Sequence, residues 1–261
     1  GDWFCPSSLD PGTWSIMEKD RMGLSLNNSF ELQDVLNGSV TSVTLSRRIS
    51  LASAGELRKG LEYMRFRVKE GMAARGELRN GINLWSLTEI YPGAAGVGSV
   101  LVPVRSKAQP VHYFSPVPRD RLRVSRDHIA FKIDGQEVYK LGIRPEDLPC
   151  PGYSSVLYYF EPESGQACLV SKSTSMAPID QSECLDVARA DPSGPRGSVQ
   201  AYNSGPDLSL GEIELHFKPA VKVGNLIVSC ADYEMTVFAG SREKVLRALT
   251  KTSSIAKPAL F

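Results

Sequence analysis

Apolar and polar residues alternate with a period of two over segment after segment of this 261-residue chain, whereas a helical period occurs once, near the end. That pattern confines the chain to β-structure, because successive side chains of an extended strand point to opposite faces. Between Val40 and Leu51, the apolar Val43, Leu45, Ile49 and Leu51 alternate with Thr44, Ser46, Arg48 and Ser50. Met64, Phe66 and Val68 alternate with Arg65, Arg67 and Lys69. Similar runs predict strands over residues 83–91, 100–104, 129–133, 138–141, 154–160, 167–172, 198–202 and 233–238. Asp134-Gly135 lies between two of these and predicts a hairpin with a four-residue loop. Behind Ser241, a residue suited to an N-cap, Val245, Leu246 and Leu249 share one face of a short helix. No strand–helix rhythm recurs, which disfavours doubly wound and TIM-barrel arrangements. The expectation is an all-β fold of antiparallel sheets with one short C-terminal helix. With no linker between separate cores, residues 1–261 read as a single domain. Its N-terminal part, 1–38, is expected to be irregular, and 173–197 to be a long surface loop.

Composition narrows the partners. Hydrophobic residues make up 42% and charged residues 23%, and the net charge is +1. So balanced a chain has no field that draws nucleic acid, and its arginines are not interleaved with stacking aromatics. No apolar run approaches 18 residues, so membrane insertion by a helix is not expected. The five cysteines are widely spaced, without the close pairs of zinc or thioredoxin-type sites, so no metal or cofactor is expected. Asn27-Asn28-Ser29 and Asn37-Gly38-Ser39 match the glycosylation sequon, which matters only in a secretory setting.

One strand stands apart. In Gly211–Pro219, Ile213, Leu215 and Phe217 alternate with Glu212, Glu214, His216 and Lys218, and Pro219 ends the ladder. Residues two apart on a strand lie roughly 6.5–7 Å apart on one face. Glu214 and His216 can therefore share a substrate, a carboxylate and an imidazole suiting base and acid near neutral pH. The competing reading is a solvated polar face, common on antiparallel sheets. No Gly-x-Ser-x-Gly elbow or phosphate-binding glycine loop accompanies it.

Glu214-Leu215-His216-Phe217-Lys218-Pro219 resembles the Glu-Thr-Gln-x-x-Pro segment of the aldose 1-epimerase (galactose mutarotase) family. The stretch from Asn80 to Glu89 is similar in position to that superfamily's strand–Asn-x-Gly–strand unit. Ala201-Tyr202-Asn203, Trp85, Pro103 and the Tyr139–Ile143 series resemble divergent relatives of the enzymes. The resemblance implies a β-supersandwich with a carbohydrate site on its concave face. It also implies a Glu that takes the anomeric hydroxyl proton while a His protonates the ring oxygen.

Glu214 falls on the base. His216 falls where the family has Gln, and Asn83–Thr88, the region of the acid histidine, contains none. Of the chain's three histidines, His216 or His128 is then the substitute acid. Glu214 and His216 are thus the candidate catalytic residues, and Trp85, Tyr202, Asn203, Glu212 and His128 the candidate substrate-binding residues. The resemblance places the family's N-terminal strands before Gly1, so a truncated chain with an exposed sheet edge is expected. Two functions follow. One is a carbohydrate-binding protein of aldose 1-epimerase-like type, interconverting sugar anomers with Glu214 as general base. The other is a non-catalytic carbohydrate-recognition or structural β-sandwich domain of a polysaccharide-processing system. The partner in both is a small-molecule sugar or glycan.

Overall fold

The structure, a computed structural model, describes residues 5–34, 37–53, 60–76, 81–163 and 165–261. Asn80, which opens the second segment of the resemblance, lies outside the described residues, as does Gly1. Among the described residues sixteen strands run in chain order: β1 (Ser15–Lys19), β2 (Gly23–Gln33), β3 (Val40–Leu51), β4 (Glu62–Arg75), β5 (Asn83–Ile90), β6 (Gly98–Pro103), β7 (Val111–His112), β8 (Leu122–Val124), β9 (His128–Ile133), β10 (Tyr139–Ile143), β11 (Ser154–Phe160), β12 (Gln166–Thr174), β13 (Val199–Asn203), β14 (Gly211–Pro219), β15 (Val221–Val223) and β16 (Leu226–Ser241). Among the described residues one α-helix, α1 (Arg242–Ser253), follows, besides short helical turns at Ser8–Gly12, Pro145–Asp147 and Gln181–Glu183.

The strands form two antiparallel sheets. The larger has 11 strands in the order β1-β2-β3-β4-β16-β12-β11-β6-β9-β8, with β15 paired to β16. The smaller has five, in the order β5-β14-β13-β10-β7. The all-β expectation, with antiparallel sheets and one short C-terminal helix, is what the chain adopts. Among the described residues no helix is long and apolar enough to cross a membrane.

The main core lies between the sheets. Ile213, Leu215 and Phe217 of β14 join Leu141, Ile143, Val199 and Ala201 of neighbouring strands. They pack against Val100, Val102, Ile129, Phe131, Val156 and Tyr158 of the large sheet. A fully buried Ile or Phe contributes about 1.5–3 kcal/mol relative to exposure, so this layer fixes which face of β14 points inward. A second core lies on the far side of the large sheet. There Val245, Ala248 and Leu249, spaced as one helical face, cover Leu101, Ala130, Leu157, Leu169 and Phe238.

Several expectations need correction. Residues 15–33, expected to be irregular, form β1 and β2. The apolar alternation of β2 is interrupted by Asn28, which is buried and donates through Nδ2 to the Ser8 carbonyl at 3.0 Å. Asp134-Gly135 does not close a hairpin: β9 belongs to the large sheet and β10 to the small one. The turn is a crossover, pinned by Arg121 Nη1 donating to both Asp134 oxygens at 2.7 Å. Gly135 has φ +63° there, and a Cβ would stand 2.6 Å from the Ser209 Cα. The segment 175–197 is not merely a surface loop, since Ala177, Cys184 and Ala188 are buried within it. It packs over the face of the small sheet that points away from the core. All five cysteines are free thiols.

Candidate functional site

β14 lies between β5 and β13, and directly opposed residues of paired strands share a face. Glu212 faces Glu89 on one side and Tyr202 on the other, Glu214 faces Leu87 and Gln200, and His216 faces Trp85. One strand further, Lys140 opposes Tyr202 and Gly142 opposes Gln200. Because Ile213, Leu215 and Phe217 occupy the core side, all of these stand on the outer face.

Glu214 is the hub. Its side chain is 0% exposed. Oε2 accepts from Trp85 Nε1 at 2.8 Å and from Lys140 Nζ at 3.3 Å, and His216 Nε2 lies 3.1 Å from it. Lys140 Nζ is also 3.3 Å from Oε1, an ion-pair distance, but off the hydrogen-bonding direction, so Oε1 has no hydrogen-bond donor. Gln200, directly across the ladder, has its Oε1 in the same condition. Its Nε2 donates to the Tyr113 hydroxyl at 2.9 Å. The Tyr113 ring approaches so closely over Gly142 that a Cβ there would meet Cε2 at 2.6 Å.

The segment 175–197 closes this face from above. Asp186 Oδ2 takes Lys140 Nζ at 3.3 Å, Glu183 pairs with Lys218 at 3.7 Å, and Ala188 packs with Val111 and Tyr113. The outer face of β14 is therefore covered, not solvated. At its margin Trp85 stays 41% exposed, with its ring centroid 6.1 Å from that of His216. Half-buried Tyr202 meets Phe114 edge-on.

Two carboxylates two residues apart are driven in opposite directions. Burial raises the pKa of Glu214, but the His216 hydrogen bond, the Lys140 charge and the Trp85 hydrogen bond outweigh it and hold the group below its ordinary value. Glu212 lacks such donors. Burial first, then repulsion by Glu214, push it up to about 7 against the pull of Lys140, with Glu89 adding a smaller repulsion. One carboxylate stays ionised and its neighbour exchanges its proton near neutrality, the arrangement that separates acid and base roles.

A family model described as a family of unknown function (DUF6786) matches residues 1–155, more than half of the chain. The chain belongs to the DUF6786 family. In this DUF6786 member the match takes in Trp85 and Lys140 and ends within β11, before β13 and β14. Among solved structures, an Escherichia coli K12 protein provisionally named an aldose 1-epimerase is similar over 88% of this chain and 69% of that one, at 12% identity and a TM-score of 0.41. No curated protein matches.

The fold of the DUF6786 chain thus brings Trp85, Tyr202, Glu212, Glu214 and His216 to one face. It does not bring Asn203 or His128. Asn203 shares the inward face of β13 with Val199 and Ala201. Its Oδ1 accepts from the Asp134 and Gly135 amides at 2.9 and 3.0 Å, and its Nδ2 donates to the Glu137 carbonyl at 2.7 Å. It staples the crossover. His128 is on the large sheet, on the side that carries Ala130 and α1. Its Nε2 accepts from the Ala259 amide at 3.0 Å and its Nδ1 lies 2.7 Å from Asp127, so it fastens residues 256–261. Lys140, Gln200 and Asp186 complete this cluster and are not among the site candidates that the sequence offers. Lys140 was detectable, since it stands out of phase with Tyr139, Leu141 and Ile143 in a strand. Open depressions of about 630 Å³ beside Arg47 and Arg48 and about 750 Å³ beside Asp127 lie away from Glu214.

Proposed function

We propose that the outer face of the small sheet is a carbohydrate site and that it interconverts sugar anomers in the manner of an aldose 1-epimerase. The observation that carries this is the division of labour within the Glu214 carboxylate. Oε2 meets Trp85, Lys140 and His216, while Oε1, buried and touched only by the Lys140 charge at 3.3 Å, has no hydrogen-bond donor and is the oxygen left to accept a proton. Glu214 Oε1 takes the proton of the anomeric hydroxyl. His216 is the acid: an imidazolium donates from both ring nitrogens, so it can hold Glu214 through Nε2 and offer Nδ1–H to the ring oxygen. The ring opens, the aldehyde turns, and closure reverses the two transfers. Trp85 and Tyr202 flank the site with aromatic surface suited to the C–H faces of a sugar. The resemblance of Glu214–Pro219 to the epimerase segment supports the same reading.

A sugar reaches Oε1 only when a side chain of the rim moves aside. That burial favours a second reading, a non-catalytic carbohydrate-recognition or structural module of a polysaccharide-processing system. Saturation-transfer NMR against a panel of aldoses tests the shared part. Binding that is lost in Trp85→Ala is expected, and an absence of binding across the panel would remove both carbohydrate readings and leave only the structural module. Binding without anomer interconversion identifies the second.

A further inference from the structure

The charges on this face are lopsided. Among the described residues, Glu89, Glu212 and Glu214 stand on it by register and Asp186 touches it, against the ammonium of Lys140 and the imidazolium that the proposed mechanism gives His216. The remaining pair, Lys218 with Glu183, is neutral. Glu212 and Glu89 are direct cross-strand neighbours, and like charges so placed repel. Neither has an ion pair among the described residues, and the Lys140 ammonium is shared between Glu214 and Asp186.

Resting on the carbohydrate reading above, we propose that this face selects a cationic sugar, an amino sugar whose ammonium lies between the carboxylates of Glu212 and Glu89. A second observation points to a donor-rich ligand. The buried Oε1 atoms of Glu214 and Gln200, on directly opposed residues, both lack a hydrogen-bond donor; Lys140 Nζ stands 3.3 Å from the first, whereas that of Gln200 is a buried acceptor left unpaired, which is costly. An amino sugar supplies hydroxyl and ammonium donors together. Tyr202, directly opposite Glu212, supplies an aromatic ring of the kind that attracts cations. The raised pKa of Glu212 agrees, because a neighbouring cation would restore its charge. A divalent metal fits less well, since no three His, Cys, Asp or Glu groups among the described residues are placed to hold one. Phosphorylated or carboxylated sugars meet four carboxylates.

Isothermal titration at pH 7 and low salt with glucosamine, N-acetylglucosamine, glucose, glucose 6-phosphate and spermidine tests this. Glucosamine is expected to bind about tenfold or more tighter than glucose, as a charge-assisted contact should. N-acetylglucosamine, which has the same ring without the charge, should follow glucose, and glucose 6-phosphate should bind most weakly. Glu89→Gln and Glu212→Gln, checked for folding by circular dichroism, should each cost glucosamine about tenfold and glucose less than about threefold. Equal affinity for glucose and glucosamine overturns the amino-sugar preference and leaves the carbohydrate site standing. Spermidine binding as tightly as glucosamine overturns it in favour of a cation site indifferent to sugar. Failure of every sugar to bind removes the carbohydrate site as well.

Discussion

The indole nitrogen of Trp85 donates to Oε2 of Glu214 at 2.8 Å, tying an exposed aromatic on β5 to a buried carboxylate on β14. Removing that donor leaves Glu214 short of a partner where water cannot replace it. Trp85→Phe keeps the ring surface and deletes the N–H. It should lower stability by about 1–3 kcal/mol, the cost of an unsatisfied buried polar group, measured by urea unfolding.

Acid should act through Glu214. Its pKa is held below the ordinary 4.5 in the folded chain, so in that window the unfolded state binds more protons and stability rises with pH. The contribution is complete above about 4.5 and is lost as pH falls through the folded value. Melting temperatures of wild type and Glu214→Gln, compared between pH 2 and 6, should show the steeper acid loss in wild type.

Lys172 carries a second pH signature. It is fully buried between the sheets, with Nζ donating to the Ser86 carbonyl at 2.8 Å and to Thr88 Oγ1 at 3.0 Å. Burial lowers its pKa to about 7, against the opposing pull of Glu214 and Glu70. Between about 7 and the ordinary 10.5 the unfolded chain holds a proton that the folded chain does not. Stability from this group therefore grows with pH across that window and is lost as pH falls through about 7. In Lys172→Met the difference in melting temperature between pH 7 and 10 should shrink.

Asn203 should separate structure from function. Asn203→Ala removes the bonds that hold the 134–137 crossover, so a loss of about 1–3 kcal/mol is expected in urea unfolding. Sugar affinity per folded molecule should stay unchanged.

How much of this was legible in the sequence depended on the period of two. Alternation in 211–219 identified the face that carries Glu212, Glu214 and His216, because burying Ile213, Leu215 and Phe217 leaves no other choice. The same parity rule places Asn203 with Ala201 on the inward face, and a resemblance had set it at the site instead. Parity cannot say which sheet a strand joins. In β9 Ile129, Ala130 and Phe131 are all buried, so both faces look alike, and the Asp134-Gly135 turn passes for a hairpin while it switches sheets. Nor does it reveal what covers a face. Asp186 reaches Lys140 from a segment without periodicity, and that cover turns a polar strand face into a buried charge cluster. β2 was hidden by Asn28, a polar residue on an apolar stripe whose partner, Ser8, lies 20 positions away.

Anomer exchange measured directly bears on the proposed chemistry of Glu214 Oε1. Proton exchange spectroscopy of equilibrated glucose, galactose and glucosamine reports α-to-β interconversion with and without the protein. Wild type should accelerate exchange of at least one of these sugars. Glu214→Gln, with its fold verified, should lose about 100-fold or more of that acceleration, the usual scale of general acid–base catalysis. Exchange at the buffer rate in wild type, or undiminished acceleration in Glu214→Gln, would contradict the assignment of Glu214 as the base.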